Sequence, residues 1–341
     1  MKISIVILNW NGKHYLEQFL PSVVKHSQID SCEIIIADNG SSDDSIFFLR
    51  QHYPQVRLIL LDKNYGFAEG YNKALQQVDS EYFVLLNSDV ELSENWLQPI
   101  IEKLDKTPTI AAAMPKILSF HDKTKFEHAG ASGGFIDYFG YPFCRGRILD
   151  TVETDENQYD TELDIFWATG ACMIIRAEIF KTFGGFDGDF FAHMEEIDLC
   201  WRIKNAGFSI KVFPQSHVYH VGGGTLSSES PFKLYLNFRN NLYMLYKNLP
   251  TKRLFSTLFV RMLLDGISAL IFLAGGKFQQ FLVVPKAHFA FYTALSALQK
   301  KRKLAKKLVK THRHASILKG SIVFKALIMN KKTFDKLSLL K

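Results

Sequence analysis

Short, uninterrupted apolar runs alternate with longer amphipathic stretches over the first third of the chain. Ile3–Leu8, Glu33–Ala37, Val56–Leu61 and Tyr82–Leu86 have strand length and are dominated by apolar, largely β-branched residues. Between them, Tyr15–His26, Asp44–His52 and Ala68–Gln77 have helical length and spacing. Strands buried on both faces and separated by helices predict an α/β domain, with a mainly parallel central sheet flanked by helices. From about Ile110 to Ser230 the pattern turns irregular and rich in aromatics and glycine, with an acidic loop from Asp150 to Asp164. Beyond Pro250 the chain reads as helical, apolar and basic.

The polar residues fall at telling places. Asn9-Trp10-Asn11 follows the first predicted strand, Asp38-Asn39-Gly40-Ser41 the second, Asp62-Lys63-Asn64 the third and Asn87-Ser88-Asp89 the fourth. Turn chemistry alone favours Asn, Asp and Gly there. Four such clusters in register, however, converge on the carboxyl edge of a parallel sheet, where open α/β sheets bind ligands.

Composition sets the outer limits. The 341 residues suffice for one large domain, or one domain with an appendage, and 47% hydrophobic against 22% charged residues excludes global disorder. Cys32, Cys144, Cys172 and Cys200 show no metal-ligand spacing and read as reduced thiols of a cytosolic protein. Met1-Lys2-Ile3-Ser4 leads straight into a strand-like run, so no secretory signal is expected. The net charge of +7 hides an asymmetry: residues 1–265 carry 25 Lys/Arg and 33 Asp/Glu, whereas residues 266–341 carry 16 Lys/Arg and one acid, Asp335. Two differently built pieces are therefore expected, 1–250 and 251–341.

Individual segments carry candidate chemistry beside a plainer reading. Asp89, a carboxylate just past a buried strand, is a natural oxygen ligand for Mg²⁺ or Mn²⁺, although most such triplets are turns or caps. Asp38 either closes an Asx turn into a helix cap or meets a base or ribose. Asn64-Tyr65-Gly66-Phe67-Ala68-Glu69-Gly70 brings glycines to a helix entrance, where backbone approaches a ligand closely, yet it is neither a dinucleotide fingerprint nor a P-loop. Glu195 and Glu196 open a helix predicted to end before Gly207; they are either ordinary N-terminal acids or a general base. His220 precedes a run of glycines, and a lone histidine is more often structural.

Taken together and in order, ILNWNG, DNGSSD, NYGFAEGYN, LLNSDV, GACMIIR, GGFD, FFAHMEEIDLCWR and HVGGGT resemble the family-2 glycosyltransferases of GT-A fold, in particular their bacterial rhamnosyltransferase-like branch. The resemblance covers roughly Lys2 to Leu249. It implies a nucleotide-sugar donor, Mg²⁺ or Mn²⁺, and inverting transfer to a glycan or glycolipid acceptor in cell-surface polysaccharide synthesis. Asn9 and Asp38 match the base- and ribose-contacting loops, and Asn64, Gly66 and Gly70 the donor loop. Asn87, Ser88 and Asp89 match the DxD element, with Asp89 meeting metal and diphosphate. His220 matches a late histidine that completes the metal site. Glu195 and Glu196 match a Glu-Asp pair whose second member is the base.

Two departures stand out: neutral Asn87 in the first DxD position, and Glu196 in place of Asp. The extra methylene displaces the carboxylate, and misplacement by about 1 Å costs on the order of a hundredfold in rate. Glu196 is the favoured base, with Glu195 and Asp198 as alternatives. Arg202 either holds the carboxylate pair or merely solvates it, while His217, Arg239 and Asn240 are expected to be structural before they are ligand-binding. The rival readings are a nucleotidyltransferase, disfavoured by Asn9-Trp10-Asn11-Gly12 after the first strand, and a binding module that has lost its chemistry.

In the basic C-terminal piece, uncharged runs of the apolar part such as Gly266–Gly276 are shorter than the roughly 20 residues of a spanning helix. Interfacial amphipathic helices are expected instead, holding a peripheral enzyme on the cytoplasmic leaflet of the plasma membrane. A basic cap on the catalytic domain is the plainer alternative. The apolar interleaving argues against a nucleic-acid partner.

Overall fold

The computed structural model describes residues 1–222, 230–337 and 339. The first half is β1 (Ile3–Asn9), α1 (Lys13–His26), β2 (Cys32–Asp38), α2 (Ser45–His52), β3 (Arg57–Leu60), α3 (Gly66–Leu75) and β4 (Tyr82–Leu86). Each apolar run predicted to be a strand is one. The four strands pair in parallel in the order β3-β2-β1-β4, so their carboxyl ends share an edge.

After β5 (Val90–Leu92), α4 (Gln98–Lys106) and β6 (Ile110–Ser119), the irregular region folds into short strands: β7 (Gly134–Asp137), β8 (Pro142–Cys144), β9 (Arg147–Ile148), β10 (Thr151–Val152) and β11 (Leu163–Asp164). β12 (Cys172–Arg176) then enters the main sheet antiparallel, between β4 and β6. The α/β class is as expected, but β12 makes the sheet mixed. α5 (Ala177–Thr182), α6 (Glu195–Asn205) and β13 (Ser209–His220) follow, and β13 runs parallel to β6. The core is built from both faces of the central strands, where β4 is buried at every position. Cys144, Cys172 and Cys200 are buried free thiols, and Cys32 is half-buried.

α7 (Pro231–Asn248) packs on α6 and on a long helical hairpin, α8 (Thr251–Ala274) and α9 (Phe278–Lys306). The chain then returns: β14 (Ile317–Leu318) adds in parallel to β7, α10 (Ile322–Leu327) follows, and Phe334 packs among Phe135, Phe143 and Tyr159. The uncharged-run criterion understated α8. Its charged Arg261 and Asp265 are buried against the protein, and the helix is one unbroken 24-residue element whose most apolar 18 residues have a mean hydropathy of 1.9. At 1.5 Å per residue that is about 36 Å. α8 and α9 are both long and apolar enough to cross a membrane.

Candidate active site

The strand-end clusters meet at the shared edge. Asn9, fully buried, donates through Nδ2 to Asp38 Oδ1 (3.1 Å) and Ser41 Oγ (3.2 Å), while Asp38 Oδ2 accepts from the Ser41 N–H (2.9 Å). Asn9 Oδ1 is buried without a hydrogen-bond partner. A Cβ at Gly12 would lie 2.5 Å from that oxygen and 3.7 Å from Ser88 Oγ, so the first loop abuts the loop after β4.

Asn39 ties the second cluster to the third. Its Nδ2 donates to Asn64 Oδ1 (3.1 Å) and the Gly66 carbonyl (3.0 Å), and its Oδ1 accepts from the Tyr65 N–H (3.0 Å). Gly66 has φ +74°, and a Cβ there would strike the Phe191 ring at 2.5 Å. Gly70 serves packing: a Cβ would meet Leu8 of β1 at 2.9 Å. Neither glycine is open toward a ligand in this arrangement; both let other parts of the site close up.

Asp89, His220 and Glu127 form a second group. His220 Nε2 lies 3.2 Å from Asp89 Oδ1, and Nδ1 lies 3.5 Å from Glu127 Oε2. All three are more than nine-tenths buried. Asn87 Nδ2 stands 3.4 Å from the same Nε2. Glu127 also accepts the Ala129 N–H at 2.6 Å. Burial alone would depress the imidazole, but the two carboxylates outweigh it and hold His220 up at about 10. Burial would likewise raise Glu127, and His220 with the Ala129 N–H brings it below the ordinary carboxylate range.

Glu127 was missed in the sequence, where Lys125-Phe126-Glu127-His128 carries no strand or helix signal. It reaches His220 because its N–H bonds the Ile117 carbonyl of β6, the neighbour of β13. Among the described residues, no group of three or more His, Cys, Asp or Glu forms a self-sufficient metal cage. The donor set still fits a divalent cation that keeps phosphate oxygens as ligands. Asp89 and His220 Nε2 face each other, and Glu127 stands behind the other ring nitrogen as an orienting carboxylate. Of the glycine run after His220, Gly223 to Thr225 lie outside the described residues.

The third group is at the start of α6. Phe191, His193 and Met194 all have positive φ (64°, 69° and 72°), a sharp turn of non-glycine residues that delivers Glu195 and Glu196. The turn is held from α7. Asn240 Nδ2 points at the carbonyls of Phe190, Ala192 and His193 (2.8–2.9 Å), and Arg239 Nη2 donates to those of Asp189 and Phe190. Arg239 and Asn240 are thus positioning residues, as the structural reading expected. The Phe191 carbonyl accepts N–H bonds from Phe67 and Ala68, docking the turn on the start of α3. Lys233 sits near both Glu127 and His193, bringing the turn close to the second group.

Burial, then the adjacent Glu196, pushes the Glu195 carboxyl well above its usual range. Glu196 is half-buried as a residue, but its Oε2 is buried without a hydrogen-bond partner, and burial lifts the group to about 7 against backbone N–H bonds and Glu195. The two carboxyls thus share one buried setting, and both bind a proton more readily than an ordinary glutamate.

Two alternatives are corrected. Asp198 is fully buried and bound by Lys247 (2.8 Å), Asn248 (2.7 Å) and Arg202 (3.0 Å), so it cannot serve as base. Arg202 binds Asp198 and the carbonyls of Phe183 and Gly185, not the glutamate pair, because it lies one turn beyond Asp198 on the helix. His217 packs edge-to-face against Tyr219 and offers its carbonyl to Ser93.

With this geometry in hand, likenesses to known proteins become informative. The family profile described as Glycosyl transferase family 2 matches residues 4–184. The chain is 25% identical over 233 residues to N-acetylglucosaminyl-diphospho-decaprenol L-rhamnosyltransferase of Mycobacterium tuberculosis, covering 64% of this chain and 75% of that protein. It is 26% identical over 229 residues to Rhamnosyltransferase WbbL of Escherichia coli, covering 64% and 83%. Among solved structures it resembles the mannosyltransferase PcManGT from Pyrobaculum calidifontis in complex with GDP-Man and Mn²⁺, at 14% identity and a TM-score of 0.52 over 90% of this chain and 85% of that one.

Proposed function

We propose, from the premise that this chain belongs to glycosyl transferase family 2, that it is a metal-dependent inverting transferase. It would move a sugar from a nucleotide-diphosphate donor to a hydroxyl of a lipid-linked glycan. Glycosyl transfer in glycan synthesis follows from the family and its rhamnosyltransferase relatives. One observation supports the finer reading: two adjacent glutamates, both lifted above the ordinary carboxylate range by burial, stand on a strained turn docked against the start of α3.

Asn9 and Asp38 receive the base and ribose, with the loop from Asn64 beside them. Asp89 and His220 would hold Mg²⁺ or Mn²⁺, which when bound would supply positive charge to offset that of the departing diphosphate. Mn²⁺ accompanies the donor in the archaeal mannosyltransferase structure, which supports this choice. Glu196 accepts the acceptor's hydroxyl proton as that oxygen bonds the anomeric carbon. The carbon–phosphate-oxygen bond breaks, and the nucleoside diphosphate leaves with the electron pair. A carboxylate is too weak to deprotonate an alcohol beforehand, so proton transfer comes late. One displacement inverts the anomeric carbon. Glu195 keeps its proton and orients Glu196.

An N-acetylglucosaminyl-diphospho-decaprenol figures in the mycobacterial relative's name, which supports an acceptor carried on a polyprenyl diphosphate at the cytoplasmic leaflet. Glu196→Gln is expected to keep donor affinity while transfer falls about 10²–10⁴-fold, with a smaller loss for Glu195→Gln. The reverse order of the two variants would move the base to Glu195.

A further inference from the structure

α8 is built inside out. The stripe Arg253, Thr257, Arg261 and Asp265, spaced by four, faces the protein: Arg261 stacks on Tyr141 at 3.5 Å and lies 3.6 Å from Asp265, which in turn meets His288 of α9. The opposite stripe, Phe255, Phe259, Leu263, Ile267 and Ile271, is 53–83% exposed. A helix of a water-soluble surface carries the reverse pattern. An apolar ridge along a helix of about 36 Å is far more than the scattered exposed side chains of a monomer.

The exposed apolar surface continues. On α9, Phe278, Leu282 and Phe289 are 47–71% exposed. α10 exposes Phe324 and Leu327, and Ile328 and Met329 follow. It begins at the same strand end as α8: the Tyr138 carbonyl accepts from Arg253, its N–H donates to Gly320, and neighbouring Asp137 accepts from Ile322. The charges available around this surface are of one sign. After Asp265 the sequence holds 16 Lys/Arg and one acid, and Lys277 at the hairpin tip, Lys286, Lys300 and Lys303 are exposed.

We infer that the outward ridge of α8, with the exposed side chains of α9 and α10, is the lipid-contacting surface of this protein, and that its occupant is a bilayer containing anionic headgroups. The inference rests on the membrane location proposed above and names the surface responsible. Apolar side chains enter the acyl boundary, the inward arginines stay sealed against the protein, and the lysines meet phosphates at about 1 kcal/mol each.

The test is flotation of the full chain with vesicles of phosphatidylcholine, alone and with phosphatidylglycerol. Wild type is expected to float with both and more tightly with the anionic vesicles. Phe259→Glu/Ile267→Glu is expected to lower partitioning about a hundredfold or more, and Lys300→Glu/Lys303→Glu to remove only the preference for anionic lipid. Mn²⁺-dependent hydrolysis of a nucleotide sugar, unchanged in both variants, shows that they fold. Wild type remaining with the dense fraction, or the ridge variant floating like wild type, overturns the inference. So does sedimentation showing that the ridge variant converts a dimer to a monomer without changing flotation, since the ridge would then be covered by a second copy. Flotation without donor hydrolysis in the wild type would leave this surface standing and remove the transferase reading; hydrolysis without flotation does the opposite.

Discussion

Asp89 with Glu127, and Glu195 with Glu196, are two pairs of buried carboxylates in one molecule, and they differ in what lies between them. Between the first pair stands His220, which both carboxylates hold up at about 10 and which in turn brings Glu127 down. Nothing of opposite charge stands between the second pair, so burial drives both carboxyls upward, with Glu196 adding to the rise at Glu195. Two carboxylates that hold an imidazolium between them suit a cation, which would take the place of the proton on His220 Nε2 beside Asp89. A pair poised near neutrality suits proton transfer. Carboxylates are thus given two different electrostatic settings by their surroundings.

The comparison breaks most severely if the first pair is dispensable. Asp89→Ala is expected to abolish Mn²⁺-dependent donor binding, measured by calorimetry, and to lower turnover by about 10²–10³-fold. Next, the second pair depends on its strained turn. Asn240→Ala leaves the carbonyls of Ala192 and His193 without their side-chain donor and that of Phe190 with Arg239 alone, and kcat is expected to fall about a hundredfold while donor Kd is kept. A loss confined to donor affinity would contradict the positioning role. Glu127→Gln should weaken Mn²⁺ affinity about 10–100-fold, read by titration of the metal in the presence of nucleotide.

The smallest effect is on stability. Glu196 binds its proton more tightly folded than unfolded, so folding takes up a proton and stability falls as pH rises from the ordinary glutamate range through about 7. Glu196→Gln removes that penalty. Its thermal midpoint relative to wild type is expected to be about 2–4 °C higher at pH 8 than at pH 4, and an equal difference at both values would deny the shift.

Much of the first pair's setting was legible because it is local. Buried β-branched runs end in polar clusters, and parallel pairing of β1 to β4 brings those ends together without further information. Asp89 and His220 could be picked out as candidates, yet Glu127 could not. It lies in a segment without periodicity and meets His220 only through the pairing of β6 with β13, which is a long-range fact. Gly66 and Gly70 looked like a ligand-facing loop, whereas their missing side chains make room for Phe191 and Leu8. On α6, acids at 195, 196 and 198 are nearly equivalent in sequence. Only Lys247, Asn248 and Arg202, arriving from other elements or the next turn, remove Asp198 from contention. In α8, Arg261 and Asp265 read as interruptions of an apolar run, because a linear count does not tell which side of a helix a charge occupies.

Proton magnetic resonance of the reaction product, with a donor of known anomeric configuration, tests the central claim most directly. A single displacement assisted by Glu196 gives a product whose anomeric configuration is opposite to that of the donor. A product with the donor's configuration would require a second displacement or a different reacting face, and would contradict the roles assigned to both carboxylate pairs.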